Sequence, residues 1–312
     1  MRIIAWRDNG FIKPIRMLGL NCLEACLISI LRHQRRPYEL IFYKAFDFET
    51  NLTEDLAIGP NVSVGTEYIA KYCKEFFQLY IDDKHPQYST PYKLIQTNAL
   101  KCMWLNHNQQ MDVIHFILLL QNCQGEYICI DPTYIDDLLV FNHRELAFLC
   151  EKQLDVIQEP SKKSDIEVLR QSIALFHKHV SSLKIRECFE LFIRRIQQST
   201  SLEYEFSDCI PPLQKLEYLF SYMFPGTRKM LLLYLQKVHQ YVRFEQYPSI
   251  TDLIQRSIIV WEHLKMNLLK IKYTHNFIPY KEFFLNKLEL IMSYESNIYR
   301  LLSVELKNLP QI

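Results

Sequence analysis

Gly19-Leu20-Asn21-Cys22-Leu23-Glu24-Ala25-Cys26 reads as the start of a helix with a thiol in its first turn. Asn21 is a favoured N-cap, and Glu24, three residues on, completes a capping-box pattern. Apolar residues recur at 23, 26, 27, 30 and 31, one stripe of a helix running from Cys22 to Gln34. Cys22 stands where unpaired N–H groups and the helix dipole favour an anion, the setting in which a thiol becomes a nucleophilic thiolate. Its backbone N–H and Asn21 are candidate donors to an oxyanion. A helix-start Cys on its own is more often plain packing, so its partners decide the matter.

Two partners lie further along the chain. Met111-Asp112-Val113-Ile114-His115-Phe116-Ile117-Leu118-Leu119-Leu120 is an apolar strand interrupted by one imidazole. A buried imidazole is costly unless it is hydrogen-bonded. Ile128-Cys129-Ile130-Asp131-Pro132 ends the next strand on a carboxylate, and Gln121-Asn122-Cys123-Gln124-Gly125 joins the two as a hairpin loop. A loop centred on Cys123 puts His115 directly opposite Asp131, on one face of the ladder. A slip of one residue would separate them. Cys22, His115 and Asp131 are thus a candidate triad: nucleophile on a helix start, base and orienting acid on a hairpin.

Outward from these residues the chain divides in two. Residues 1–158 mix helix and strand: Gly65 to Phe77 reads as a second helix, and Leu100 to Leu105, Val113 to Leu120 and Glu126 to Ile130 read as strands. This part is α+β and holds the candidate triad. Residues 159–312 read as a helical bundle region. Apolar residues recur there at three- and four-residue steps through Ile166 to Val180, Ile185 to Ile196, Leu213 to Phe224, Met230 to Val242, Ile250 to Ile271 and Tyr280 to Leu306. Pro211-Pro212, Pro225-Gly226, Pro248 and Pro279 punctuate it. Glu159 to Ser164 is the expected connection.

Composition narrows the function. Among 312 residues, 36 Lys and Arg against 35 Asp and Glu leave a net charge of +1, without the basic excess that a dedicated nucleic-acid binder needs. Only 6 glycines are present, and no Gly-x-Gly-x-x-Gly or P-loop marks a nucleotide site. Nine cysteines are an odd number, and Met1 to Gly10 contains no apolar stretch of signal-peptide length. The apolar runs are too short for a membrane span. The expectation is a cytoplasmic protein with reduced thiols, bound to neither membrane nor nucleic acid.

The Gly-Leu-Asn-Cys run at 19–22 with its helix, His115, and Gly125 followed by Asp131-Pro132 together resemble a known family. They look like the N-terminal-domain family of butirosin biosynthesis protein H, within the papain-like cysteine acyltransferase and peptidase superfamily. The resemblance covers roughly residues 15–150. Double-glycine leader peptidases share the strand-His and strand-Asp-Pro arrangement. The resemblance implies a papain-like domain followed by a mostly α-helical region. It also implies a thiol acyltransferase taking an acyl group from a carrier-protein thioester to an amine. Cys22 would be the nucleophile, His115 the base and Asp131 the orienting acid. Its implied partners are an acyl or peptidyl carrier protein, which presents the donor on phosphopantetheine, and a small-molecule or peptide amine. No metal or resident cofactor is implied. Two departures weaken a peptidase more than a transferase. Arg16 stands where papain-like peptidases place an oxyanion-binding Gln, and Leu23-Glu24 follow the Cys in place of Gly. The oxyanion donors would then be Asn21 and the Cys22 N–H.

Other readings compete. A cysteine peptidase, amidase or thioesterase would use the same three residues, and a papain-like scaffold could be retained for binding alone. Cys22, Cys26, His107 and His115 could hold zinc, although no paired C-x-x-C or H-E-x-x-H spacing supports it. Pro225-Gly226-Thr227-Arg228-Lys229 could open a helix with Thr227 as N-cap, two cations beside its free N–H groups, and a phosphate of a phosphopantetheine arm between them.

Overall fold

A computed structural model describes residues 1–6, 12–47, 49–50, 62–63, 68–82, 86–105, 112–123, 125–202 and 219–309. The chain forms two compact units. One comprises Met1–Ile41 and Glu67–Val168, the other Phe42–Thr66 and Leu169–Ile312. This differs from the single boundary expected at 158/159. The segment after Ile41 is counted with the helices because its backbone oxygens are used there. Phe46 O accepts from His179 Nε2 at 3.0 Å, and Asp47 O accepts from Arg228 Nη1 at 3.1 Å.

The first unit is α+β, as the mixed pattern of its sequence predicts. Its elements run β1 (Arg2–Ile4), α1 (Cys22–His33), α2 (Tyr68–Phe77), β4 (Leu79–Ile81), β5 (Ser89–Asn98), β6 (Ile114–Cys123), β7 (Glu126–Ile130), β8 (Leu138–Asn142), α3 (His143–Leu149) and β9 (Lys152–Gln158). The short strands β2 (Glu49–Thr50) and β3 (Val62–Ser63) pair with each other and belong to the second unit. Seven strands make one antiparallel sheet in the order β1-β8-β7-β6-β5-β9-β4. One core cluster joins Ile95, Ile117, Leu119, Cys129, Leu139 and Phe141 to Leu146 and Leu149 of α3. Helix α1 packs against β6, where Cys26 Sγ lies 3.9 Å from Phe116 O.

Two strand expectations change. Leu100 to Leu105 is a 3₁₀ turn over Ala99–Lys101 followed by further turn, because Asn98 Oδ1 accepts from Leu100 N at 2.9 Å and curls the chain. Its apolar residues Ala99, Cys102 and Leu105 form a small buried cluster instead of alternating across a pleat. The hairpin loop is also tighter than expected. Cys123 pairs with Glu126, and Gly125 adopts φ +82°, a left-handed conformation that glycine takes without strain.

The second unit contains α4 (Asp165–Ser182), most of which follows the unit boundary, α5 (Ile185–Gln198), α6 (Phe224–His239), α7 (Tyr247–Thr274) and α8 (Ile278–Lys307). Helices α7 and α8 form a hairpin closed by His275 in the left-handed region at φ 50°. The start of α7 is capped from α8: Glu305 accepts from Glu245 N at 3.0 Å and Gln246 N at 2.6 Å. The expected helix Leu213 to Phe224 lies partly outside the described residues, and its end, Leu219–Met223, is a π-helical turn leading into α6. No helix among the described residues is long and apolar enough to cross a membrane.

The alternative of a phosphate site at Thr227-Arg228-Lys229 is not met, and neither is the plainer reading of a solvated helix start there. Helix α6 begins at Phe224 with Pro225 in its first turn, so Thr227 is not its N-cap. Thr227 and Arg228 are fully buried. Arg228 Nε donates to Glu295 Oε1 at 2.8 Å, and Nη2 pairs with Glu295 Oε2. Ser257 Oγ and Trp261 Nε1 donate to Glu295 Oε1 at 2.9 and 3.0 Å. Lys229 reaches Glu262 at 3.1 Å. A buried charge must be paired and hydrogen-bonded, and this network spends the arginine on the bundle's own interior.

Candidate active site

The chain enters α1 through a turn at Met17 to Leu20. Leu20 N donates to Met17 O at 3.4 Å, with Gly19 at φ 90° in the position where a type II turn requires positive φ. Asn21 then caps the helix as its sequence predicts. Its Oδ1 accepts from Glu24 N at 2.9 Å, and Glu24 Oε2 accepts from Asn21 N at 3.1 Å. The capping box commits both the amide oxygen and the backbone N–H of Asn21. Only its side-chain NH₂ remains as a donor to an oxyanion. Cys22 is the first helical residue, half-buried, and its backbone N–H has no acceptor within the helix.

His115 is the second residue of β6 and is 3% exposed. Its Nε2 lies 2.9 Å from Asp131 Oδ2. Asp131 is completely buried just after β7. Both its oxygens receive other donors: Trp104 Nε1 reaches Oδ2 at 2.8 Å, and Thr133 N reaches Oδ1 at 3.1 Å. The second of these is an Asx turn, in which the carboxylate hydrogen-bonds its own backbone two residues on. An acceptor so placed fixes the proton on Nε2 of His115. Cys22 also lies close enough to the imidazole to favour its charged form. Burial opposes a charge on His115, but the hydrogen bond to Asp131 and the charges of Asp131 and Cys22 outweigh it and push its pKa up to about 10. The three residues expected from sequence are therefore brought together.

The route to that contact differs from the expected one. Near the turn, Gln121 pairs with Ile128; one step further, Leu119 pairs with Cys129 and Leu118 with Ile130. Leu120 is the extra residue of a β-bulge. The turn-side register, continued without a bulge, would set Leu118 opposite Asp131 and send His115 to the other face. With the bulge, the register runs on to Ile117 opposite Asp131. His115 then lies one same-face step away, diagonal to Asp131 and not directly across from it.

Three contributors were not legible as site residues. Trp104 reads as core from composition, yet its indole holds the Asp131 carboxylate and its ring packs at 5.6 Å from Phe141. Tyr134 lies 5.4 Å from the His115 ring. Thr133 contributes through its backbone N–H, which is open to any residue but Pro and leaves no signature. Arg16, at the position of the expected glutamine, is exposed and pairs with Asp136 at 3.2 Å.

The neighbouring thiols differ from Cys22. Cys26 is fully buried and its pKa is raised by burial; burial also pushes Cys102 up to about 12. The seven cysteines whose side chains are described are all free. Among the described residues no group of three or more His, Cys, Asp or Glu could hold a metal ion. His107, named for a zinc alternative, lies outside the described residues.

A scan against protein-family models finds no match, and a search of curated proteins finds no similar sequence.

Proposed function

We propose that the protein is a cysteine-dependent acyltransferase of papain-like type. It would form an acyl-enzyme at Cys22 from a thioester and pass the acyl group to an amine. One observation carries this reading. His115 is hydrogen-bonded to the buried carboxylate of Asp131, and Cys22 lies close enough to the same imidazole to favour its charged form. A helix-borne Cys, a strand-borne His and an acid after the following strand accord with a papain-like arrangement.

In the proposed reaction His115, whose raised pKa favours the imidazolium, already holds the proton of the pair and leaves Cys22 as the thiolate that attacks the thioester carbonyl carbon. The Cys22 N–H and the Asn21 NH₂ stabilise the oxyanion. The tetrahedral intermediate breaks its bond to the donor sulfur, which leaves with the proton from His115. The amine then attacks the acyl-enzyme, His115 takes its proton, and Cys22 departs as thiolate. Asp131 holds the imidazole in orientation and balances its charge throughout. The donor we propose is an acyl or peptidyl carrier protein with its phosphopantetheine thioester, and the setting is the cytoplasm, where thiols stay reduced.

Mixing the protein with a carrier-bound acyl thioester should give a mass increase on the intact chain that maps to Cys22 and is absent in Cys22→Ala. An added amine should discharge the adduct to an amide faster than buffer does. Discharge indifferent to amines would make the protein a thioesterase or peptidase; an unchanged adduct on Cys22→Ala would overturn the mechanism.

A further inference from the structure

We infer that Trp104 is a positioning residue that tempers the hold of Asp131 on the His115 imidazolium, because its indole N–H shares the carboxylate oxygen that faces the imidazole. Its role in turnover rests on the acyl-transfer reading above.

Trp104 is placed for this by the turns that replace the expected strand. Cys102 N donates to Ala99 O at 3.1 Å and Leu105 N to Cys102 O at 3.0 Å, so the segment coils and does not extend. The Trp104 side chain packs against two apolar clusters. One is Ala99, Cys102 and Leu105 of its own segment; the other includes Ile95, Ile117, Cys129 and Phe141 of the sheet. Contact with both fixes the ring, and the ring delivers its N–H to Asp131 Oδ2 at 2.8 Å.

An indole is a donor only and does not titrate, so it gives this bond in every protonation state of the site. His115 Nε2 reaches the same oxygen at 2.9 Å. Asp131 and His115 are buried, so both bonds act in a low local dielectric, where they are strong. A donor to a carboxylate stabilises the charge on it. Charge drawn toward the indole is charge withdrawn from the imidazolium. Thr133 N acts likewise on Oδ1, but through the backbone, so Trp104 is the donor that a substitution removes.

The neighbours leave this effect readable. Asp131 is felt by Cys26 of α1 and Cys102 of the turn, and burial keeps both thiols neutral. His115 is felt by Cys22 of α1. The Tyr134 ring lies 5.4 Å from the imidazole, and the residue opposite His115 on β5 is Thr97, which does not titrate. In the proposed reaction His115 has two opposed duties. It keeps its proton while Cys22 attacks, and it surrenders that proton to the departing donor sulfur. A carboxylate given wholly to the imidazolium would favour the first duty against the second; the shared oxygen balances them.

NMR titration of isotope-labelled histidine reads the His115 midpoint directly, with its signal assigned by loss in His115→Gln. The background is Cys22→Ala, which removes the thiol partner, and no acyl donor is present. Trp104→Phe should raise the midpoint by about 0.5–1 pH unit, because the carboxylate loses a competing donor. Ring-fluorinated tryptophan, incorporated biosynthetically, keeps the packing and carries a more acidic N–H, so it should lower the midpoint even where the Phe variant folds poorly. Of the other tryptophans, Trp261 donates to Glu295 and Trp6 Nε1 has no partner. A midpoint that stays or falls in Trp104→Phe, or that fluorination fails to lower, would overturn this inference and leave the indole as support alone. Neither result touches the acyl-transfer reading, which stands or falls on the Cys22 adduct.

Discussion

The indole N–H of Trp104 and the imidazole of His115 meet on one atom, Asp131 Oδ2, at 2.8 and 2.9 Å. With Thr133 N on Oδ1, the carboxylate is held by three donors from three segments of the chain. Asp131 is thereby locked before any substrate arrives, and its orientation is passed to His115.

Asp131→Asn keeps an oxygen for some of these donors but removes the charge that supports an imidazolium. The acylation rate of Cys22 should fall steeply. The equivalent change in a serine-protease triad costs about 10⁴-fold. Circular dichroism should remain that of the wild type. An acylation rate within a few-fold of wild type would show that another group orients His115.

Cys22 should be the thiol that iodoacetamide labels first at neutral pH. It is half-buried with a hydrogen-bonded imidazole beside it, whereas Cys26, Cys73, Cys102 and Cys129 are fully buried and burial raises the pKa of each. Peptide mapping after brief labelling checks this, and faster modification of Cys150 or Cys188 would contradict it.

Two histidines set opposite limits on stability with pH. His115 is raised from 6.5 to about 10, so its contribution is complete below about pH 6.5 and is lost as pH rises through about 10. His179 is lowered from 6.5 to about 4 by burial, against the hydrogen bond it gives Phe46 O. Its contribution is present above pH 6.5 and is lost as pH falls through about 4. In urea titrations the advantage of wild type over His115→Gln should shrink between pH 7 and 10. His179→Gln should hold its midpoint better than wild type between pH 6 and 4.

Arg228→Met should destabilise the helical unit by about 3–5 kcal/mol, because it strands a carboxylate in a fully buried network. Adding Glu295→Gln removes the stranded charge while keeping an acceptor for Ser257 and Trp261, and should recover a large part of the loss. Thermal unfolding of the single and double variants measures both. A double variant no more stable than the single one would mean that hydrogen-bond geometry, not charge, dominates.

What the sequence makes legible is local. The capping box at Asn21 and Glu24 lies within four residues and is read directly, as are the long helices after residue 165, whose ends fall within a few residues of their apolar periodicity. The strands β1 and β4 have three residues each, too few for a clear alternation, while β5, β8 and β9 are long enough but are not buried in strict alternation, so period two does not mark them out. Arg228 illustrates the harder case. Its partners are Glu295, sixty-seven positions away, and Asp47, one hundred and eighty-one positions away. Nothing within a window around Pro225 distinguishes a solvated cation from a buried one. The pairing of His115 with Asp131 was legible as chemistry but not as register, since the bulge at Leu120 is a property of two strands together.

That bulge makes the site unequal toward gain and loss of residues. The pairing of Cys123 with Glu126 anchors one end of the hairpin, so the side on which His115 emerges is decided by counting outward from the turn. Leu120 is one spare residue in that count. A deletion in β6 could be absorbed by ironing the kink flat, and His115 would still share a side with Asp131. An insertion has no such slack and would turn the imidazole to the far side with every chemical group still present. The hairpin is therefore tolerant of losing one residue and intolerant of gaining one, so a lineage that keeps this chemistry can shorten the stretch between His115 and the turn by that residue but cannot lengthen it by one.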